Sequence, residues 1–168
     1  TDFVDRLSGS FRTWEYCVQY RETDFNFVSR LMEHEGIYYY FMHQNGKHFL
    51  VLANASSSHD KFPAYEEVPY YPPNVHDFRE IDHIYDWGIR MAHQPGAYAL
   101  KGFDFKVPRK DLHRLSSTPK DYALPDFEIY DYPCDYVEPS DGDNYARIRL
   151  EELQAQCEVA EGRGSAVG

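Results

Sequence analysis

Residues 17–41 read Cys-Val-Gln-Tyr-Arg-Glu-Thr-Asp-Phe-Asn-Phe-Val-Ser-Arg-Leu-Met-Glu-His-Glu-Gly-Ile-Tyr-Tyr-Tyr-Phe, and their pattern decides the fold class. Thr23 or Asp24 can cap a helix by accepting a backbone N–H, and Phe25, Val28, Leu31 and Met32 then recur at helical spacing on one face. Gly36 ends this helix, because glycine takes the left-handed conformation that closes a helix and places Ile37 to fold back onto Leu31 or Met32. Beyond it, Ile37 to Met42 is β-branched and aromatic, and His48 to Ala53 is apolar again. Asn45-Gly46 between these runs predicts a hairpin, since both residues tolerate the positive φ of a type I′ turn. Upstream, Phe11 to Tyr20 ends with Tyr16, Val18 and Tyr20 on one face and Cys17 and Gln19 on the other, the pattern of a half-buried strand.

Downstream of the hairpin, Ala55 to Asp60 is serine-rich, and Pro63, Pro69, Pro72 and Pro73 punctuate the next stretch. No long element runs through such a segment, so an internal seam is expected near residues 55–75. Ile84 to His93 places Tyr85, Trp87, Ile89 and Met91 on one strand face; Gln94-Pro95-Gly96 turns the chain, and Ala97 to Phe105 returns as a second predicted hairpin. Val107 to Pro125 reads as loop and Phe127 to Tyr132 as one more strand. Ser140-Asp141-Gly142-Asp143 offers a capping box ahead of a helical pattern near 142–159. Ala146, Leu150, Leu153 and Cys157 form its stripe, Arg147, Arg149, Glu151 and Glu152 its solvated side, and residues 161–168 read as helix exit and linker. The expected class is α+β: mainly antiparallel strands in hairpins and small barrel-like sheets, a short helix near 24–35 and a longer C-terminal one near 142–159.

Composition narrows the function classes. Hydrophobic content of 42% with 27% charged residues is that of a globular chain, and no apolar run approaches the ~20 residues that span a bilayer. The net charge of −11 repels phosphate backbones, so nucleic acid is not an expected partner. The first six residues carry neither a basic nor an apolar signal region and no starting Met, which predicts a fragment of a longer protein. Three distant cysteines, Cys17, Cys134 and Cys157, offer neither a disulfide framework nor a metal knuckle and are expected to be reduced thiols. Fifteen tyrosines suit either half-exposed strand faces or interfaces, and their number alone does not choose.

Candidate chemistry is sparse. His34-Glu35 begins a zinc-protease helix, but the second His is missing because position 38 is Tyr; His34 is expected to face solvent near a helix C-terminus, where the helix dipole favours a protonated ring. His43, His48 and His59, with Asp60, make a ligand list for a metal, but their spacing is that of no known site and eight histidines make chance clustering easy. Asp82, Asp86 and Asp104, or Asp131 and Asp135, are carboxylate sets that exposed strand faces and turns explain equally well. Cys17 and Cys134 have no nearby His in sequence, and no nucleophile elbow or phosphate-binding loop is present. The expectation is therefore no catalytic residue, no cofactor and no metal site.

The same words in the same order from Cys17 to Phe41 resemble the VgrG family, spike-tip proteins of bacterial type VI secretion systems with a front part like a contractile-phage tail hub. The resemblance continues through Tyr38–Phe41, Phe49–Leu52, Tyr98–Phe105 with Pro108, Glu128–Pro133, and Ala146–Glu152 with Arg147, Arg149 and Leu150. Cys134 stands where the family commonly has Gly after Tyr-Pro. The resemblance implies that residues 1–168 are the later part of a hub region, incomplete at both ends, without the small barrel and spike that come after it. Function would be mechanical: a homotrimeric hub docks on the needle tube, meets spike-tip, effector or adaptor proteins, and is pushed out to breach a target membrane that other parts contact. Assembly would occur in the bacterial cytoplasm, with secretion or translocation afterwards. Three rivals remain: a phage baseplate hub, a metal-dependent hydrolase using His43, His48 and His59, and an adaptor binding an effector through tyrosine-rich faces.

Overall fold

The Asn45-Gly46 turn forms with both residues at positive φ, 42° and 77°, as a type I′ hairpin requires. This hairpin is one part of a computed structural model that describes residues 3–63, 65–73, 80–122 and 126–165. In chain order its elements are β1 (Phe3–Arg6), α1 (Asp24–Glu35), β2 (Tyr38–Gln44), β3 (Lys47–Ala53), β4 (Ile84–Met91) and β5 (Ala97–Gly102). They continue with β6 (His113–Ser117), β7 (Glu128–Cys134), α2 (Pro139–Gln154) and β8 (Glu158–Gly164). The strands make three small sheets, ordered β1-β3-β2, β4-β8 and β6-β5-β7. The class is α+β with mostly antiparallel pairings, and among the described residues no sheet closes into a barrel.

The first helix obeys its sequence signals closely. Thr23 Oγ1 accepts the Asn26 amide at 3.2 Å, and Gly36 closes the helix at φ 71° while the Ile37 amide returns to the Met32 carbonyl at 2.8 Å. Its apolar stripe, however, buries nothing completely: Phe25 and Val28 remain exposed.

Elsewhere the structure corrects the sequence reading. Phe11 to Tyr20 forms no strand, and Tyr16, Val18 and Tyr20 stand exposed. Alternation marks a chain able to pair, and among the described residues no strand pairs with it. The second hairpin does not form either. β4 pairs antiparallel with β8, a segment read as the end of the helix and the start of the linker, while β5 lies between β6 and β7. The amides of Gly96 and Ala97 both donate to the Phe127 carbonyl, at 3.0 and 3.1 Å, which turns β5 toward β7 and away from β4. β6 occupies part of the stretch read as loop, of which residues 123–125 lie outside the described ones. So do residues 64 and 74–75 of the expected seam and residues 166–168 of the expected linker.

The second helix starts earlier and ends earlier than its pattern. Pro139 occupies the first turn, where its fixed φ is pre-set for helix, and Glu138 precedes it without a side-chain cap, so the Ser140–Asp143 box does not form. At the other end the stripe to Cys157 is overridden by pairing of Glu158–Gly164 with β4. The buried face of α2, Tyr145, Ala146, Ile148 and Leu150, lies in the core with Leu100, Leu112 and Tyr136. Tyr136 is 1% exposed and its hydroxyl donates to the Leu112 carbonyl at 2.5 Å.

The first turn of α2 rests directly on that ring. A Cβ at Gly142 would run into Tyr136 Cε2 and would stand 2.9 Å from Arg114 Cγ. Gly142→Ala is therefore expected to cost about 3 kcal/mol, the upper part of the range for overpacking, and to lower the melting temperature by roughly 6–12 °C. Thermal unfolding monitored by circular dichroism checks this; an unchanged melt would show that the ring yields freely.

Candidate functional site

The densest polar and aromatic contacts join three parts of the chain that are remote in sequence: the Arg12–Trp14 segment, the last turn of α1 and the middle of α2. Glu35 is the centre of this joint. Its Oε1 accepts from Trp14 Nε1 at 3.3 Å and from the Tyr145 hydroxyl at 3.0 Å. The Arg12 guanidinium lies over Trp14, 4.6 Å from the ring centroid, and over Tyr145 at 5.3 Å, and pairs with Asp135 at 3.1 Å. Each stacking contact of this kind contributes about 0.5–1 kcal/mol or more where water is excluded. Gly36 adds close approach: a Cβ there would come within 3.2 Å of the Ile148 side chain, so the end of α1 sits against α2 with no room to spare.

His34 is part of this joint and does not face solvent as its position predicts. Its ring meets Tyr145 at 4.3 Å and Trp14 edge-on at 5.2 Å, and Nε2 is buried with no hydrogen-bond partner among the described residues. Burial pulls its pKa below the ordinary value; Glu35 opposes this and Arg149 and Arg12 reinforce it. Burial, helped by the charge on Glu35, pushes the Tyr145 phenol well up, which keeps it a donor. Sequence reasoning names His34 and Glu35 only as half of a failed motif and misses Arg12, Trp14 and Tyr145. The one local signal is Glu35 directly before the helix-ending glycine; its partner Tyr145 is 110 positions away, beyond any periodicity.

The other candidates separate. His43 and His48 face each other across the hairpin, but His59 lies at its far end, stacked on Tyr40 and bonded to the Tyr38 hydroxyl at 2.9 Å. Asp60 is engaged by Arg6 at 2.7 Å. Asp82 accepts from Tyr65, Asp86 pairs with Arg163, and Asp104 caps the Lys106 amide at 2.8 Å, so these three carboxylates form no pair. Asp131 and Asp135 do come together, with His34, Cys134, Tyr145 and Arg149, around a cavity of about 210 Å³. Cys134 there is held as a thiol, because burial and then Asp131 push its pKa up. Cys17 is exposed, and all three cysteines are free. Among the described residues no three His, Cys, Asp or Glu side chains are placed to hold a metal ion, and no helix is long and apolar enough to cross a membrane.

Large apolar side chains stay in solvent on two other surfaces: Tyr16, Tyr20, Phe25 and Val28 near α1, and Trp87, Ile89 and Met91 on β4, the last 76% exposed. The side chains gathered at Glu35 hold three segments of the chain together. The comparison of sequences gives the family: residues 1–168 match the phage tail baseplate hub family throughout, and the chain belongs to it. It is 50% identical over its whole length to the type VI secretion system spike protein VgrG1b of Pseudomonas aeruginosa, covering 22% of that protein, and 49% identical to VgrG1c of the same organism, covering 23%. Over 90% of its length it is 34% identical to the actin cross-linking toxin VgrG1 of Vibrio cholerae, of which it covers 14%. The chain thus spans about a quarter or less of the relatives it matches, and the resemblance read from Cys17–Phe41 is met.

Glu35→Ala leaves the Trp14 and Tyr145 donors without their acceptor and is expected to destabilise the fold by about 1–3 kcal/mol, while Glu35→Gln, which keeps an acceptor oxygen, costs less. Urea unfolding of the two variants at neutral pH measures the difference. His34 adds a pH dependence. Its folded pKa lies below the ordinary value of 6.5, so on acidification the unfolded chain takes up a proton that the folded one refuses. The stability it contributes is full above about pH 6.5 and is lost as pH falls toward the folded pKa. His34→Phe is expected to flatten the stability profile below about pH 6.5 relative to wild type; parallel profiles would remove His34 as the cause.

Proposed function

We propose that this chain is the later part of the hub region of a type VI secretion spike, acting as a structural component without catalytic residues or cofactor. The observation that carries the reading is 50% identity across all 168 residues to a protein named as such a spike, within a family match over the same residues. In the proposed assembly the full-length protein is a homotrimer that docks on the needle tube, carries a spike, and brings effector or adaptor proteins with it. It assembles in the bacterial cytoplasm and leaves with the needle, and parts outside residues 1–168 contact the target membrane. The seam near 55–75 is a boundary within this hub region.

Physical features support a scaffold. Glu35 Oε1 accepts from donors on two remote segments, Trp14 and Tyr145, and the net charge of −11 disfavours nucleic acid. A hydrolase reading loses support because His59 and Asp60 are engaged away from the His43–His48 pair. A phage baseplate hub shares the fold and differs in its machine, and the genes beside the parent gene separate the two readings.

A strain lacking the parent protein is expected to stop exporting its needle tube protein and to regain export when complemented with the full-length gene. Tube protein in culture supernatant is the readout. No recovery from a stably expressed full-length protein would overturn the proposal.

A further inference from the structure

The tip of the β2–β3 hairpin carries a second arrangement that the scaffold role does not use. His43 and His48 are direct partners in the register, with rings 4.7 Å apart and Nδ1 facing Nδ1 at 2.5 Å. The pair next to a two-residue turn, Gln44 with Lys47, exchanges backbone hydrogen bonds, which makes His43 and His48 a non-hydrogen-bonded pair, the kind whose side chains stand closest. The turn residues at positive φ fix this register, so the two imidazoles are held beside each other by the backbone, their planes 77° apart. Both are exposed, and an exposed neutral hydrogen bond contributes about 1 kcal/mol or less. Stability alone therefore gives the pair little reason to be there.

We propose that His43 and His48 form a two-imidazole site for a late first-row divalent cation, Cu2+ above all, at the tip of the hairpin. With metal–nitrogen bonds of about 2.0 Å, two cis imidazoles of a tetragonal Cu2+ or Ni2+ centre stand about 2.8 Å apart, and those of tetrahedral Zn2+ about 3.3 Å. Opening from 2.5 Å takes about 0.3 Å in the first case and about 0.8 Å in the second, which exposed side chains accommodate by small rotations. The ring that now donates from Nδ1 changes tautomer through solvent, its hydrogen moving from Nδ1 to Nε2, so that both neutral rings offer a bare Nδ1 to the cation and no proton is lost overall. Geometry favours Cu2+ and Ni2+ over Zn2+, and the general affinity order places Cu2+ above both. Along this face the next pair inward is Phe41 with Leu50, which supplies no ligand, so the remaining coordination positions go to water or to a donor from another molecule.

Copper titration of the tag-free chain, monitored by electron paramagnetic resonance and by line broadening in amide NMR spectra, tests the site. Expected are broadening centred on His43, His48, Met42 and Phe49, and loss of one copper equivalent in the double variant His43→Asn/His48→Asn. Each single variant is expected to weaken that site at least about tenfold, the lower end of what losing even an outer partner of a metal ligand costs. His59→Asn is expected to leave it unchanged. Unaltered copper uptake in the folded double variant, or broadening centred elsewhere, would overturn the proposal; both substitutions are on exposed positions and leave the fold intact.

Discussion

The seat of α2 on Tyr136 governs how the other elements pack. That ring is buried at the exit of β7, its hydroxyl is tied to the Leu112 carbonyl just before β6, and Gly142 lets the helix backbone lie against it. Once α2 is seated, Tyr145 and Ile148 are placed to receive α1: Tyr145 meets Glu35 through a hydrogen bond, and Ile148 meets Gly36 through van der Waals contact. α1 in turn leads straight into the β2–β3 hairpin. A side chain at one glycine therefore propagates, through rigid packing, to a hairpin with no contact to it.

The joint itself is an economical use of polar atoms. One carboxylate oxygen serves two donors on different segments, and one guanidinium lies over two aromatic rings. Such a node resists sliding in more than one direction, because each partner approaches Glu35 from a different part of the chain. The half-buried His34 ring, its pKa held below the ordinary value by burial, packs against Tyr145 in the same joint.

Legibility from sequence tracks the range of the interactions. α1 with its Thr23 cap and Gly36 stop, and the Asn45-Gly46 hairpin, are readable because each signal and its partner lie within a few residues. β1, which pairs parallel with β3, is not, and neither are β6 and β8, whose strand identity depends on a distant partner. The end of α2 misleads for the same reason: the stripe through Cys157 is helical locally, and only pairing with β4 makes the next residues a strand. Of the joint, Glu35 and His34 are visible as residues but not as a site, since Trp14 and Tyr145 reach Glu35 from 21 and 110 positions away.

The pairing of β4 with β8 also has a consequence for synthesis. Trp87 on β4 meets Gly162 on β8, and all of β5, β6, β7 and α2 is translated between them. At about 5–20 residues per second, β4 leaves the ribosome roughly 4–15 s before its partner, with the backbone edge that β8 will pair left open. The sheet and helix that form in that interval assemble without it. β4 is thus an open strand edge throughout that interval, and slowing translation within α2 would lengthen the interval directly.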